Sequence, residues 1–264
     1  MTLKQIYGLC LRQGDTCFDI GANIGQTTEI MAPLVGPTGR CYSFECHPVH
    51  YTRLAFLASR PEFENVRPYC CALSDQLGHI LLYTGSDPGA TQASTIIPEL
   101  GNHRRLGASI ARIKVETNTI DQICKTHNLS PQVIKIDVEG AEPFVIAGGR
   151  DTITRCLPHI TFEFGYDHFK PGQPPPFQFP FLQELGYEFY LVDLMFLHAK
   201  PGAYVVENTT LFPLSIEDIV RFQIGGNILA LHQTKSAKVL KNISLIPFHE
   251  LEPRLRPVEA NECR

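Results

Sequence analysis

Phe18-Asp19-Ile20-Gly21-Ala22-Asn23-Ile24-Gly25 is an apolar run that ends beside a turn containing two glycines. Its flanks complete the pattern: Asp15 to Ile20 reads as a strand, and Gln26 to Leu34 reads as a helix closed near Gly36 and Pro37. This is a βα unit. In open α/β sheets ligands settle at the carboxyl ends of strands, where glycine lets backbone approach them closely. The glycine spacing selects the ligand. Dinucleotide sites use Gly-x-Gly-x-x-Gly, in which the second glycine makes room for a pyrophosphate at the helix N-terminus. Here that position is Asn23 and the spacing is Gly-x-x-x-Gly, so the pyrophosphate fingerprint is missing. Asp19 adds a negative charge at the strand end, which suits a cationic ligand better than a phosphate. The alternative is a tight turn built around a structural aspartate.

Working outward, short β-rich runs alternate with amphipathic stretches. Arg40 to Glu45 reads as a second strand and Val49 to Ser59 as a helix with Tyr51, Leu54, Ala55 and Ala58 on one side. Val66 to Leu73 reads as a third strand. His79 to Tyr83 and Ile110 to Val115 alternate like hairpin or edge strands around a polar stretch from Gly85 to Gly107 that reads as a functional or mobile loop. Thr119 can cap a helix running to His127, and Gln132 to Val138 is a continuous apolar strand interrupted by Lys135. A helix follows from Ala141 to Ala147. The remaining elements are a strand His159 to Phe164, a Pro-rich loop Pro171 to Pro180, a short helix Phe181 to Leu185, and strands Glu188 to Val192 and Asn227 to His232. The alternation implies a doubly wound, Rossmann-like, mostly parallel α/β sheet in a single domain spanning 1–264. Its core covers about residues 14–235, and the Pro-rich, charged stretch from 236 to 264 reads as a surface tail.

Composition excludes several classes. The chain has 264 residues, a formal charge of −4 and 19% charged residues, which gives no general attraction to nucleic acid or anionic lipid. No run approaches the roughly 18 apolar residues of a membrane span. The N-terminus shows no signal-peptide core, and nine scattered cysteines without a Cys-x-x-Cys pair fit reduced thiols, so a cytoplasmic location and no structural metal are expected.

Further motifs lie at other strand ends. Glu45 stands 20 residues after Gly25, where a carboxylate can accept hydrogen bonds from the hydroxyls of a ribose. Ser74-Asp75 is either a turn or a partner for an adenine amine. In Ile134-Lys135-Ile136-Asp137-Val138-Glu139-Gly140-Ala141-Glu142, three carboxylates crowd one strand end, a repulsion that calls for a nearby cation.

The series FDIGANIG, YSFE, ALSD, TIDQI, IKIDVEGAE and ITFEF resembles the FkbM family of S-adenosylmethionine-dependent methyltransferases, over roughly Thr16 to Tyr166. The resemblance implies the class I methyltransferase fold, a seven-stranded sheet whose last strand is antiparallel. It also implies roles. Asp19, Gly21, Ala22, Asn23 and Gly25 would hold the methionine part of the cofactor, and Glu45 the ribose. Cys46, Ser74 and Asp75 would lie by the adenine, and Asp137 near the methionine amine and methyl group. The product would be S-adenosylhomocysteine.

Methyl transfer from a sulfonium is an in-line displacement and needs the acceptor atom about 3 Å from the methyl carbon. A hydroxyl acceptor needs a general base, for which Glu139, Glu163, Asp137 and His168 are the candidates. A divalent ion on Asp137, Glu139 and Glu163 would be an alternative way of lowering the acceptor pKa, although no His-based metal spacing occurs. The strand-end residues Asp137-Val138-Glu139-Gly140 differ from the Asn/Asp-Pro-Pro-aromatic string of methyltransferases acting on exocyclic amines. The family association points to O-methylation of a hydroxyl on a sugar, glycan or secondary metabolite. Phe177, Phe179 and Phe181 would form an aromatic lid on a small-molecule or saccharide acceptor. Nucleic acid is disfavoured, because Arg104, Arg105, Arg112 and Lys114 make only a short basic patch. Two rivals share the sheet: a catalytically silent nucleoside-binding protein and an NAD-dependent oxidoreductase.

Overall fold

A computed structural model describes residues 2–85, 94–98, 110–164, 174–192, 210–222, 226–241 and 243–246. The chain divides into two compact units, Cys10–Pro158 on the one hand and Met1–Leu9 with His159–Arg264 on the other. The elements are, in order, α1 (Leu3–Cys10), β1 (Thr16–Ile20), α2 (Gln26–Val35), β2 (Arg40–Phe44), α3 (Pro48–Ala58), β3 (Val66–Tyr69), β4 (Ala72–Leu73), β5 (Gly78–Gly85), β6 (Ile110–Asn118), α4 (Ile120–His127), β7 (Val133–Ile136), α5 (Glu142–Ala147) and α6 (Arg150–Cys156). They continue with β8 (His159–Phe164), α7 (Gln178–Glu184), β9 (Tyr187–Leu191), β10 (Thr210–Leu214), α8 (Ile216–Phe222), β11 (Gly226–His232), α9 (Gln233–Leu240) and β12 (Ser244–Leu245).

In the first unit β3, β2, β1 and β7 lie side by side and parallel, with Phe18 level with both Tyr42 and Ile134. Each of β1, β2 and β7 is almost wholly buried, which is why these strands read as continuous apolar runs. The stretch Val66 to Leu73 is not one strand. It breaks at the exposed Cys70, so that β3 ends on the parallel sheet while β4 pairs with β6 in a separate three-stranded sheet, β4-β6-β5. Pro68 sits in β3, a strand with a partner on one side among the described residues, where its missing N–H is tolerated. Helix α3 buries His50, Leu54 and Leu57 rather than the side containing Tyr51 and Ala58. Thr119 caps α4 as the sequence implies, its side chain accepting from Gln122 N at 3.0 Å.

In the second unit β11 runs antiparallel to both β8 and β9. The strands read from the sequence in this unit, β8, β9 and β11, are all present, and the last of them runs antiparallel to its two neighbours. Two strands and two helices go beyond them: β10 pairs antiparallel with β9, β12 pairs parallel with β10, and α8 and α9 follow β10 and β11. The chain after residue 235 is therefore not simply a surface tail, since Ser236 and Val239 of α9 are buried and Ile246 N donates to Leu211 O. Residues 247–264 lie outside the described residues. Tyr7 of α1 is fully buried and shares a 2.9 Å hydrogen bond with Thr161.

The aromatic lid is also corrected. Phe179 is 0% exposed and packs edge-on to Phe162, Phe164 and Phe189, while Phe177 stacks on the buried Phe181. The helix begins at Gln178, three residues earlier than read, and carries Phe179 and Phe181 into the core. Phe179→Ala should therefore cost about 3–5 kcal/mol of stability, as for a core phenylalanine, measured by urea unfolding. A cost below about 1 kcal/mol would restore the lid.

Candidate active site

The ends of β1, β2 and β7 meet at a loop whose own hydrogen bonds define what it can bind. Gly21 N and Ala22 N both donate to Phe44 O, at 3.0 and 2.9 Å, and Gly25 N donates to Ala22 O at 2.8 Å. Asn23, in the left-handed region at φ 52°, donates its N–H to Glu45 Oε2 at 2.8 Å. The amides of Gly21, Ala22, Asn23 and Gly25 are spent within the protein and are not available to a pyrophosphate. Gly21 is obligatory for a different reason: at φ 73°, a Cβ there would lie 1.8 Å from the carbonyl oxygen of Asp137. Strand ends β1 and β7 are thus in backbone contact.

Between them lies Lys135, which sequence reading took only as an interruption of an apolar strand. Its Nζ donates to Gly21 O at 2.7 Å and Ile20 O at 3.4 Å, and lies 3.2 Å from Asp19 Oδ1 and 3.6 Å from Asp137 Oδ2. Burial works against its charge, but the Asp19 and Asp137 carboxylates outweigh burial and hold the ammonium above its ordinary pKa. Asp19 is 0% exposed and also accepts from Thr28 Oγ1 at 2.6 Å. Asp19 is thus neutralised internally and braces the loop. The crowding of acidic groups in the sequence signalled a missing cation, and a lysine two residues before Asp137 supplies it.

Two carboxylates share that one ammonium. The surplus charge falls on Asp137, whose side chain is 43% exposed. Glu45, nearly buried, accepts from Asn23 N and from His47 N at 2.7 Å; burial raises its pKa, and these two N–H groups oppose the rise. Cys46 beside it is half-buried, its thiol pushed up by burial and by the Glu45 charge. Ser74 is buried, with its N–H on Asn118 O at 2.9 Å and its hydroxyl on Asp75 Oδ1 at 3.1 Å, while Asp75 itself is exposed. The first unit therefore brings Asp19, the glycine loop, Glu45, Cys46 and Asp137 to neighbouring strand ends. Glu139 follows in the same unit, half-buried and left-handed at φ 53°. Glu163 is half-buried on β8 of the second unit, and His168 lies outside the described residues.

Glu142, which the sequence places among the crowded carboxylates, is given no role there. It is 2% exposed, its Oε1 accepts from Val138 N at 3.0 Å, and burial with help from Asp137 and Glu139 raises its pKa to about 8. At neutral pH it is mostly a neutral acid. The basic patch needs no special reading among the described residues: Arg112 and Lys114 are exposed on alternate positions of β6. Arg104 and Arg105 lie outside those residues.

The donor set fits S-adenosylmethionine. Asn23 Oδ1 and His47 Nδ1 are buried polar atoms without a hydrogen-bond partner among the described residues, and both adjoin Glu45 in sequence or hydrogen bonding. Acceptors and an exposed carboxylate suit the ribose hydroxyls and the cationic methionine end.

Two predictions follow from these buried charges. Lys135→Met should destabilise the fold by about 3–5 kcal/mol by stranding Asp19, and Asp19→Asn in the same chain should restore part of the loss; equal thermal stability of Lys135→Met and the parent would refute the role of the pair. Glu142 keeps its proton when folded up to about pH 8 but loses it near 4.5 when unfolded. Stability contributed by that proton therefore declines as pH rises from about 4.5 to 8 and then levels off. Glu142→Gln should flatten the decline, by on the order of 4 kcal/mol across the window, in unfolding curves measured from pH 5 to 9.

Residues 19–189 match the model of the methyltransferase FkbM domain. The 2-O-methyltransferase NoeI of Sinorhizobium fredii is 28% identical over 179 residues, covering 65% of this chain and 72% of that protein. The 31-O-demethyl-FK506 methyltransferase FkbM of Streptomyces tacrolimicus is 30% identical over 166 residues, covering 55% of this chain and 63% of the relative. The crystal structure of methyltransferase FkbM from Methylobacillus flagellatus aligns with 57% of this chain and 32% of its own, at 15% identity and a TM-score of 0.40. The matched region, residues 19–189, begins at Asp19 and takes in the glycine loop, Glu45, Ser74, Asp75 and Asp137. The chain belongs to the FkbM family of S-adenosylmethionine-dependent methyltransferases.

Proposed function

We propose that this protein transfers a methyl group from S-adenosylmethionine to a hydroxyl of a sugar, glycan or secondary metabolite. The observation that carries the reading is the unequal sharing of Lys135: Asp19 is buried and compensated, whereas Asp137 keeps surplus negative charge and an exposed side chain. Asp137 is therefore the group for the cofactor's cationic end, and Asn23 Oδ1 is a neutral acceptor beside Glu45. Glu45 holds the ribose, its carboxylate pre-set by two backbone N–H donors, and Cys46, Ser74 and Asp75 lie on the adenine side. The curated relatives are named as O-methyltransferases, one of them acting on FK506 lacking its 31-O-methyl group, which supports a hydroxyl acceptor.

The bound cofactor supplies an electrophilic methyl on sulfur. The protein has to orient the acceptor oxygen in line with it and remove the hydroxyl proton as charge develops. Glu139 is the nearest candidate base in sequence to Asp137; Glu163 is the other. The silent-binder reading would keep the cofactor and lack turnover. The oxidoreductase reading is disfavoured by the spent amides of the glycine loop.

Titration calorimetry with S-adenosylmethionine and, separately, with NAD tests this. Micromolar binding of the former alone, weakened about tenfold or more by Glu45→Ala and by Asp137→Asn, is expected. Failure to bind S-adenosylmethionine, or indifference to both substitutions, would refute the site.

A further inference from the structure

Between β5 and β6 the described segment Ser94–Pro98 returns to the first unit's second sheet. Thr95 forms an antiparallel bridge with Tyr83, with Tyr83 N on Thr95 O at 2.8 Å and Thr95 N on Tyr83 O at 3.0 Å. Ser94 Oγ donates to Thr84 Oγ1 at 2.8 Å. Ile96 is buried with Ala72, Leu82, Val115 and Ala141, and Ile97 and Val138 pack against that cluster. The side chain of Thr95 then reaches away from its own sheet. Its hydroxyl accepts from Ile97 N at 3.1 Å and donates to the carbonyl oxygen of Glu139 at 2.7 Å.

That carbonyl belongs to the strained part of the site. Glu139 has φ 53° and Gly140 φ 97°, two consecutive left-handed residues, and the first carries a long side chain that disfavours this conformation. Such a backbone persists only where its surroundings over-determine it. Here one brace comes from each side: Glu142 holds Val138 N, and Thr95 holds Glu139 O. Glu142 is local to the loop. Thr95 comes from 44 residues away.

We propose that Thr95 is a positioning residue, whose hydroxyl holds the left-handed turn at Glu139 and so sets how Asp137 and Glu139 are presented to the cofactor and acceptor. The inference rests on the methyltransferase reading of the site. It also assigns a role to the described segment Ser94–Pro98: through Thr95 it controls the geometry of the strand-end carboxylates.

The test compares Thr95→Val, which keeps the shape and loses the hydroxyl, with Thr95→Ser, which keeps the hydroxyl. Hydrogen exchange at residues 137–142 and calorimetry with S-adenosylmethionine are the two readouts, with exchange in β2 as an internal control. The valine variant should exchange about tenfold faster in that loop alone and bind about five- to tenfold more weakly, and the serine variant should match the parent in both. Should the valine variant not fold, Thr95→Ala serves in its place. Equal impairment of the serine and valine variants would overturn the proposal, because a retained hydroxyl would then not be enough to hold the loop. Unchanged exchange, or faster exchange without weaker binding, would overturn it too. If the parent protein binds no S-adenosylmethionine, the methyltransferase reading fails separately, and the exchange comparison alone decides whether Thr95 braces the loop.

Discussion

A buried ammonium shared by two carboxylates and two carbonyls is the interaction on which the rest of the site depends. Lys135 stands on a strand whose other side chains are apolar, and it is tolerated there because Asp19, Asp137, Gly21 O and Ile20 O surround its charge. Removing water from an ammonium is costly, so its partners must be held in place, and they are held by backbone that the sheet itself fixes. The same contacts tie the end of β1 to the end of β7. Gly21 can then approach Asp137 more closely than any residue with a Cβ, and the loop geometry follows.

This ion cluster also sorts the carboxylates into roles. Asp19 is inside, compensated by Lys135 and bonded to Thr28, and acts as scaffold. Asp137 is at the surface of the cluster with charge to spare. Glu45 is fixed by two amides, and Glu142 is kept mostly protonated at neutral pH by burial. A cationic, ribose-bearing ligand matches such a distribution, whereas a pyrophosphate would meet uncompensated negative charge and amides already engaged.

A second constraint is the left-handed turn at Glu139. The parallel strands bring Asp137 to the right height, but the direction of the chain beyond it depends on side chains from elsewhere, one from α5 and one from the segment Ser94–Pro98 that bridges to β5 of the small sheet. The small sheet exists because the chain breaks at Cys70 and Cys71 and leaves the parallel sheet after β3. A break of one or two residues therefore builds the platform from which Thr95 reaches the site.

The sequence by itself determined the alternation of strands and helices, the strand-end placement of Asp19, Glu45 and Asp137, the cap at Thr119 and the absence of a pyrophosphate fingerprint. These are local: each follows from periodicity, from a residue at a strand end, or from glycine spacing over a few positions. Only the tertiary structure decided that Lys135 neutralises Asp19, that Phe179 is core, that Val66 to Leu73 splits between two sheets, and that Thr95 and Glu142 brace Asp137's loop. Each of these depends on a partner distant in the chain or on the direction in which a helix face turns, as α7 shows by starting three residues early and burying Phe179 and Phe181. A lysine in an apolar run has the same sequence signature whether it meets solvent or two carboxylates, and the fold alone brings those carboxylates to it.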